Sequence, residues 1–113
     1  MRRGEIWWSS IPEPRGSGPG FHRPLLIVSS NAFNDSSIST VVCASISSNL
    51  WLSDAPGNVL IKRKESGLSK DSVVNVSQLL TLDKRFLESR VRALPLKSMQ
   101  TVETGLRLVL SLG

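Results

Sequence analysis

The first regular alternation of apolar and polar positions lies at residues 3–10, Arg-Gly-Glu-Ile-Trp-Trp-Ser-Ser. A two-residue period puts Ile6 and Trp8 on one face and Glu5 and Trp7 on the other, which predicts a strand. One tryptophan then enters the core. The other lies on a sheet surface, open to stack on a base or to fill a dimer contact. The alternation stops at 11–22, where Pro12, Pro14, Gly16, Gly18, Pro19 and Gly20 break any helix or central strand. A loop of that length in a small chain is functional or disordered. Order resumes at residues 24–30, Pro-Leu-Leu-Ile-Val-Ser-Ser, a buried strand. Asn31–Ser37 carries Asx and serine turn chemistry. Residues 38–47 predict a third strand, rich in β-branched residues, with Val41, Cys43, Ser45 and Ser47 sharing one face.

Ser53–Gly57 reads as a turn and Asn58–Arg63 as a strand ended by Lys62-Arg63-Lys64. That triplet either solvates a sheet edge and blocks stray pairing or meets phosphate. Residues 71–76 predict another strand, with Gln78 following its end. Asp83 is suited to cap a helical turn running to Leu87. Ser89–Leu94 predicts a last strand that turns Arg90 and Arg92 outward. After Pro95, the residues Met99, Val102, Leu106 and Val109 recur at three- and four-residue steps, the signature of an amphipathic helix. Leu108, Leu110 and Leu112 widen its apolar stripe. Gly105 in its middle weakens a helix by ~1 kcal/mol relative to Ala, which points to a close contact with the sheet. The elements add up to a mainly β fold with a C-terminal helix: about six short strands in a compact, partly closed β-barrel. A single domain over residues 1–113 is expected.

Charge adds a partner class. Lys and Arg number 14 against 9 acidic residues, a net charge of +5. That balance suits a polyanion such as nucleic acid, and it equally serves solubility. Cys43 is the only cysteine, so no internal disulfide forms. Its apolar surroundings predict a buried thiol in a reducing compartment, hence a cytoplasmic protein. Arg2-Arg3 is not followed by an apolar signal-peptide core, because Glu5 interrupts. Leu106–Leu112 contains Arg107 and is too short to span a bilayer, so no membrane association is expected.

Candidate chemistry concentrates where the glycine-rich loop meets the first buried strand, at His22-Arg23-Pro24. An always-charged guanidinium at that junction is poised for an anion such as phosphate. Ser45, Ser47 and Ser48 add hydroxyls at the rim of the third strand, where they bind a ligand or satisfy local backbone. With one His and one Cys, there is no metal constellation, and no metal or other cofactor is expected. Gly16-x-Gly18-x-Gly20 lacks a following Lys-Ser/Thr and is no Walker loop. A nucleophile elbow is also missing. The remaining set can bind phosphate. It can also cleave RNA without metal, because RNA carries its own nucleophile in the 2′-OH. The protein then has only to align that hydroxyl, move a proton and stabilise charge on the phosphorane oxygens. His22 carries protons by intrinsic pKa, but adjacent strand residues point opposite ways. Arg23 is therefore favoured for the site and His22 for its rim.

Arg3-Gly4-Glu5-Ile6-Trp7, Arg15-Gly16-Ser17 and His22-Arg23-Pro24-Leu25-Leu26-Ile27-Val28 together resemble the MazF/PemK family of toxin endoribonucleases. Val41–Ser47, Lys70-Asp71-Ser72-Val73-Val74, Ser77-Gln78-Leu79 and Thr81-Leu82-Asp83 continue the match over nearly the whole chain. The resemblance implies an SH3-like barrel, a homodimer and selective cleavage of single-stranded RNA. It also implies 2′,3′-cyclic phosphate and 5′-hydroxyl ends, no metal, and inhibition by a cognate antitoxin through an acidic segment. The family's catalytic arginine falls on Arg23, acting in proton transfer and charge stabilisation. Its catalytic threonine falls on Ser47, hydrogen-bonding the scissile phosphate. Its loop serine falls on Ser17 and its RNA-contacting glutamine on Gln78. Arg15, His22 and Ser48 complete the expected RNA-binding set.

Two positions depart from the family. Gly18-Pro19 stands where many members have Glu-Gln after the loop serine, which removes a carboxylate. Ser47 keeps the hydroxyl of threonine but loses the methyl that stiffens χ1. Readings of another class remain: a non-catalytic RNA-binding module, or a CcdB-like gyrase poison of the same fold. That branch uses a tryptophan near the C-terminus, where this chain has Leu110-Ser111-Leu112-Gly113.

Overall fold

The computed structural model describes residues 1–11 and 21–113. Arg15, Ser17 and the Gly18-Pro19 departure lie outside the described residues. The elements run β1 (Glu5–Ile11), β2 (Phe21–Ile27), α1 (Asn31–Asn34), β3 (Thr40–Ser47), β4 (Val59–Ile61), α2 (Arg63–Ser66), β5 (Ser72–Asp83), β6 (Leu87–Ala93) and α3 (Leu96–Leu110). Short 3₁₀ turns cover Leu50–Asp54 and Lys84–Phe86. The strands form one antiparallel sheet in the order β4-β5-β3-β2-β1-β6, the six-stranded, partly closed architecture expected.

Alternation along the central strands separates two cores. Leu26, Ala44, Ile46 and Val74 lie on one face, beneath Met99, Val102 and Leu106 of α3. Leu25, Ile27, Val41, Cys43 and Leu82 lie on the other, with Trp7, Phe86 and Leu87 packed against them. Burying an aliphatic side chain contributes about 1.5–3 kcal/mol, so both faces of the same strands hold the sheet together. Cys43 is fully buried, and burial pushes its thiol up to about 12. It stays protonated and unreactive at neutral pH.

Several elements differ from expectation. Residues 31–37 hold a turn of helix, α1, because the Ser30 hydroxyl accepts the Phe33 N–H at 3.1 Å and caps it. Lys62-Arg63-Lys64 does not extend strand β4. Lys62 precedes α2, whose Glu65 carboxylate accepts the Lys62 N–H at 3.0 Å. Strand β5 continues through a bulge to Asp83, twice the length predicted, and Asp83 caps the turn that follows, as expected. Gly105 meets a turn rather than the sheet: a Cβ there would lie 2.1 Å from the Gly57 carbonyl oxygen. The apolar stripe of α3 is buried only as far as Leu106; Leu108, Val109, Leu110 and Leu112 are exposed. Among the described residues, no helix is long and apolar enough to cross a membrane.

Candidate active site

Strand β2 begins at Phe21, so His22 and Arg23 already belong to the sheet rather than to a loop. Arg23 pairs with Ser9 of β1, and the fully buried Ser9 hydroxyl donates to the Arg23 carbonyl at 2.9 Å. That bond anchors the backbone from which the guanidinium extends. His22 lies beside Trp8, their ring centroids 4.8 Å apart. Its Nε2 sits 3.3 Å from the Glu88 carboxylate of β6.

The opposite wall comes from the ends of β3 and β5. Ser47 ends β3 opposite Val73, and its hydroxyl oxygen accepts the Asn49 N–H at 3.1 Å. The hydroxyl proton remains available to a phosphate oxygen. Gln78 owes its position to a bulge. Ala44 pairs with Leu79, but the next residue, Ser45, pairs with Asn75. Residues 76–78 are thus looped out of the ladder, which re-aims their side chains. Two asparagines satisfy the loosened backbone: Asn58 Oδ1 accepts the Val76 N–H at 2.9 Å, and Asn75 Oδ1 accepts the Ser77 N–H at 3.2 Å.

These parts enclose a cleft of about 470 Å³. His22, Arg23, Ser47, Ser48 and Gln78 all line it, as do Trp8 and Lys70. Two cations, Arg23 and Lys70, thus share a cleft with five serines, Ser45, Ser47, Ser48, Ser69 and Ser72. Among the described residues, no three His, Cys, Asp or Glu side chains gather into a group able to hold a metal ion. The arrangement is one of fixed donors around space for an anion.

Residues 2–110 match the family described as PemK-like, MazF-like toxin of type II toxin–antitoxin system. The chain belongs to this family. It is 43% identical over 112 residues to Endoribonuclease MazF6 of Mycobacterium tuberculosis strain H37Rv, an alignment covering 99% of this chain and 98% of that relative. Its fold matches a structure described as an endoribonuclease in complex with its cognate antitoxin from Mycobacterial species. That match has a TM-score of 0.77 and 25% identity, over 100% of this chain and 97% of the other. A MazE–MazF structure from Deinococcus radiodurans shares the fold with a TM-score of 0.81, at 20% identity over 100% of this chain and 97% of that one.

In this MazF-like chain, His22 and Arg23 line the same cleft, contrary to the expectation that adjacent strand residues separate. The cleft sits at the strand ends, where residues of both faces border it, and Arg23 also borders an adjoining cavity of about 180 Å³ with Leu25, Ser45, Gln78 and Leu80. His22 stays at the rim with Glu88 and Trp8. Sequence reasoning did not select Trp8, Ser69 or Lys70 for the site, and named Ser45 only as a rim hydroxyl. Lys70 had a signal, a cation two residues before an apolar strand. Its position opposite Arg23 depends on the pairing of β5 with β3.

Proposed function

We propose that the chain is the endoribonuclease toxin of a toxin–antitoxin pair and cuts single-stranded RNA without a metal ion. The carrying observation is the gathering of Arg23, Lys70 and Ser47 around one cleft. The RNA 2′-oxygen attacks the adjacent phosphorus, the bond to the 5′-oxygen breaks, and a 2′,3′-cyclic phosphate and a 5′-hydroxyl result. The 2′-OH gives up a proton and the departing oxygen gains one, so no water or cofactor enters this step. Arg23 takes part in proton transfer and donates N–H bonds to the phosphorane oxygens as their charge grows. Ser47 donates to a non-bridging oxygen. Gln78 and Ser48 contact the flanking nucleotides, His22 the strand at the rim, and Arg15 and Ser17 complete the RNA-binding set.

The partner reading follows from charge. An acidic antitoxin segment occupies the basic cleft and excludes RNA. A second copy of the chain covers the exposed leucines of α3, giving the homodimer.

Arg23→Ala tests the central role. The variant should keep the wild-type circular dichroism spectrum and melting curve and lose cleavage by at least about 10³-fold. Ser47→Ala should lose about 10²-fold or more, and Ser47→Thr should restore it. An Arg23→Ala protein that cuts at the wild-type rate removes Arg23 from the chemistry.

A further inference from the structure

The cleft does not end at Ser48 and Lys70. Ser48, Ser69 and Lys70 also wall a second, shallower cavity of about 380 Å³, completed by Leu50, Arg63 and Asp71. Two cavities with three residues in common form one trough. Its far half carries two cations, Arg63 and Lys70. Among the described residues, neither side chain is paired with a carboxylate. The one carboxylate there is committed elsewhere: Asp71 accepts the Arg63 backbone N–H at 2.8 Å and lies 3.9 Å from the Lys62 ammonium.

The 3₁₀ turn Leu50–Asp54 borders both halves. Leu50 lines the far cavity and Leu52 the near one. Between them in sequence is Trp51, which lines neither cavity and is 87% exposed, with its backbone fixed by the Asn49 side chain, which accepts the Trp51 N–H at 3.2 Å. A tryptophan so exposed loses the burial that normally retains it. An exposed π-surface on the turn that borders a trough with two cations is a composition that holds single-stranded nucleic acid, phosphates on the cations and a base on the ring. An acidic peptide would use the cations but has no base for the indole.

We infer that this far half is a second nucleotide subsite, in which Arg63 and Lys70 hold phosphates of the RNA strand flanking the scissile bond and Trp51 stacks on one of its bases. The inference rests on the nuclease reading above and names where that substrate continues. The cut bond stays at Arg23 and Ser47. Affinity for the flanking strand then depends on residues outside the reacting centre.

The test uses a mixed-sequence 2′-O-methyl RNA strand, which binds but cannot be cut because its nucleophile is blocked. Affinity is measured across a salt series for the wild type, Arg63→Ala/Lys70→Ala, Trp51→Ala and Trp51→Phe. All three positions are exposed, and circular dichroism checks the fold. The double variant should reduce the slope of log affinity against log salt by about 1.4, or about 0.7 for each of two phosphates. Trp51→Ala should weaken binding about fivefold or more, and Trp51→Phe should restore most of it. Variants with the affinity and slope of the wild type overturn the subsite. So does a double variant that loses affinity for a polyglutamate peptide but none for RNA, which would make the far half a peptide site. Ordinary RNA of the same sequence is the control for the nuclease reading. A wild type that binds but does not cut refutes the catalytic roles, while the binding series still decides the subsite. A wild type that binds no strand overturns both.

Discussion

Glu5 shows how much a single side chain can hold in this fold. It is 8% exposed and sits on β1 between the N-terminal turn and β6. Burial pushes its carboxyl up. The Arg2 N–H at 2.7 Å, the Arg90 guanidinium and the Trp7 indole N–H at 3.1 Å outweigh that and hold it below the usual range. A carboxyl lowered in the folded state adds stability above its unfolded pKa, near 4.5, and loses it as pH falls through the folded value. Glu5→Gln should therefore cost about 1.5–3 kcal/mol at pH 7 in denaturant titrations. The gap between variant and wild type should close as the pH falls below about 4.5. A gap that stays constant to low pH contradicts this role. At this scale the sequence was informative where chemistry is local. Arg23 stands out because a guanidinium precedes a proline and a buried run, and Ser47 because it ends a strand. Lys70 and Ser69 did not stand out, because only the pairing of distant strands brings them to the cleft.

Among the elements, α3 depends on one close approach. Gly105 faces Gly57, whose φ of +84° already restricts that turn to glycine. Alanine at 105 gains ~1 kcal/mol in helix propensity. It would also place a methyl carbon 2.1 Å from a backbone oxygen, which no side-chain motion relieves. Gly105→Ala should lower stability by about 1–3 kcal/mol net, a loss of several degrees in melting temperature. A variant as stable as wild type or more so means that helix and turn separate at little cost. The helix itself was legible from its three- and four-residue steps, and the strands from alternation and β-branching. The bulge at 76–78 was not, because it is stabilised partly by Asn58 reaching over from the segment before β4, a contact between residues 18 positions apart. The mid-helix glycine signalled a close contact, but nothing in its local pattern identified Gly57 as the partner.

The whole molecule combines a two-faced sheet with a basic trough at the ends of its strands. Packing on both faces fixes the backbone around Arg23 and Ser47, which is what preorganised stabilisation of a phosphorane needs. On the proposed function, the same charge serves both RNA and an acidic competitor. A polyglutamate peptide should displace single-stranded RNA with a salt-dependent inhibition constant. RNA binding unaffected by the peptide argues against an acidic segment as the inhibitor's contact. Fold class was legible at this scale because short strands, tight turns and one terminal amphipathic helix allow few arrangements. The continuity of the trough was not, since it joins residues from β1, β2, β3, α2, β5 and the segments between them.

The central claim is that the chain cuts RNA using the RNA's own 2′-OH. The most direct measurement is incubation of a mixed-sequence single-stranded RNA with the protein in EDTA, followed by chemical mapping of every new end. Discrete cuts with 2′,3′-cyclic phosphate on one fragment and 5′-hydroxyl on the other are the predicted result, and they would reveal the target sequence as well. RNA left intact across diverse sequences, or fragments bearing 5′-phosphates, would contradict it.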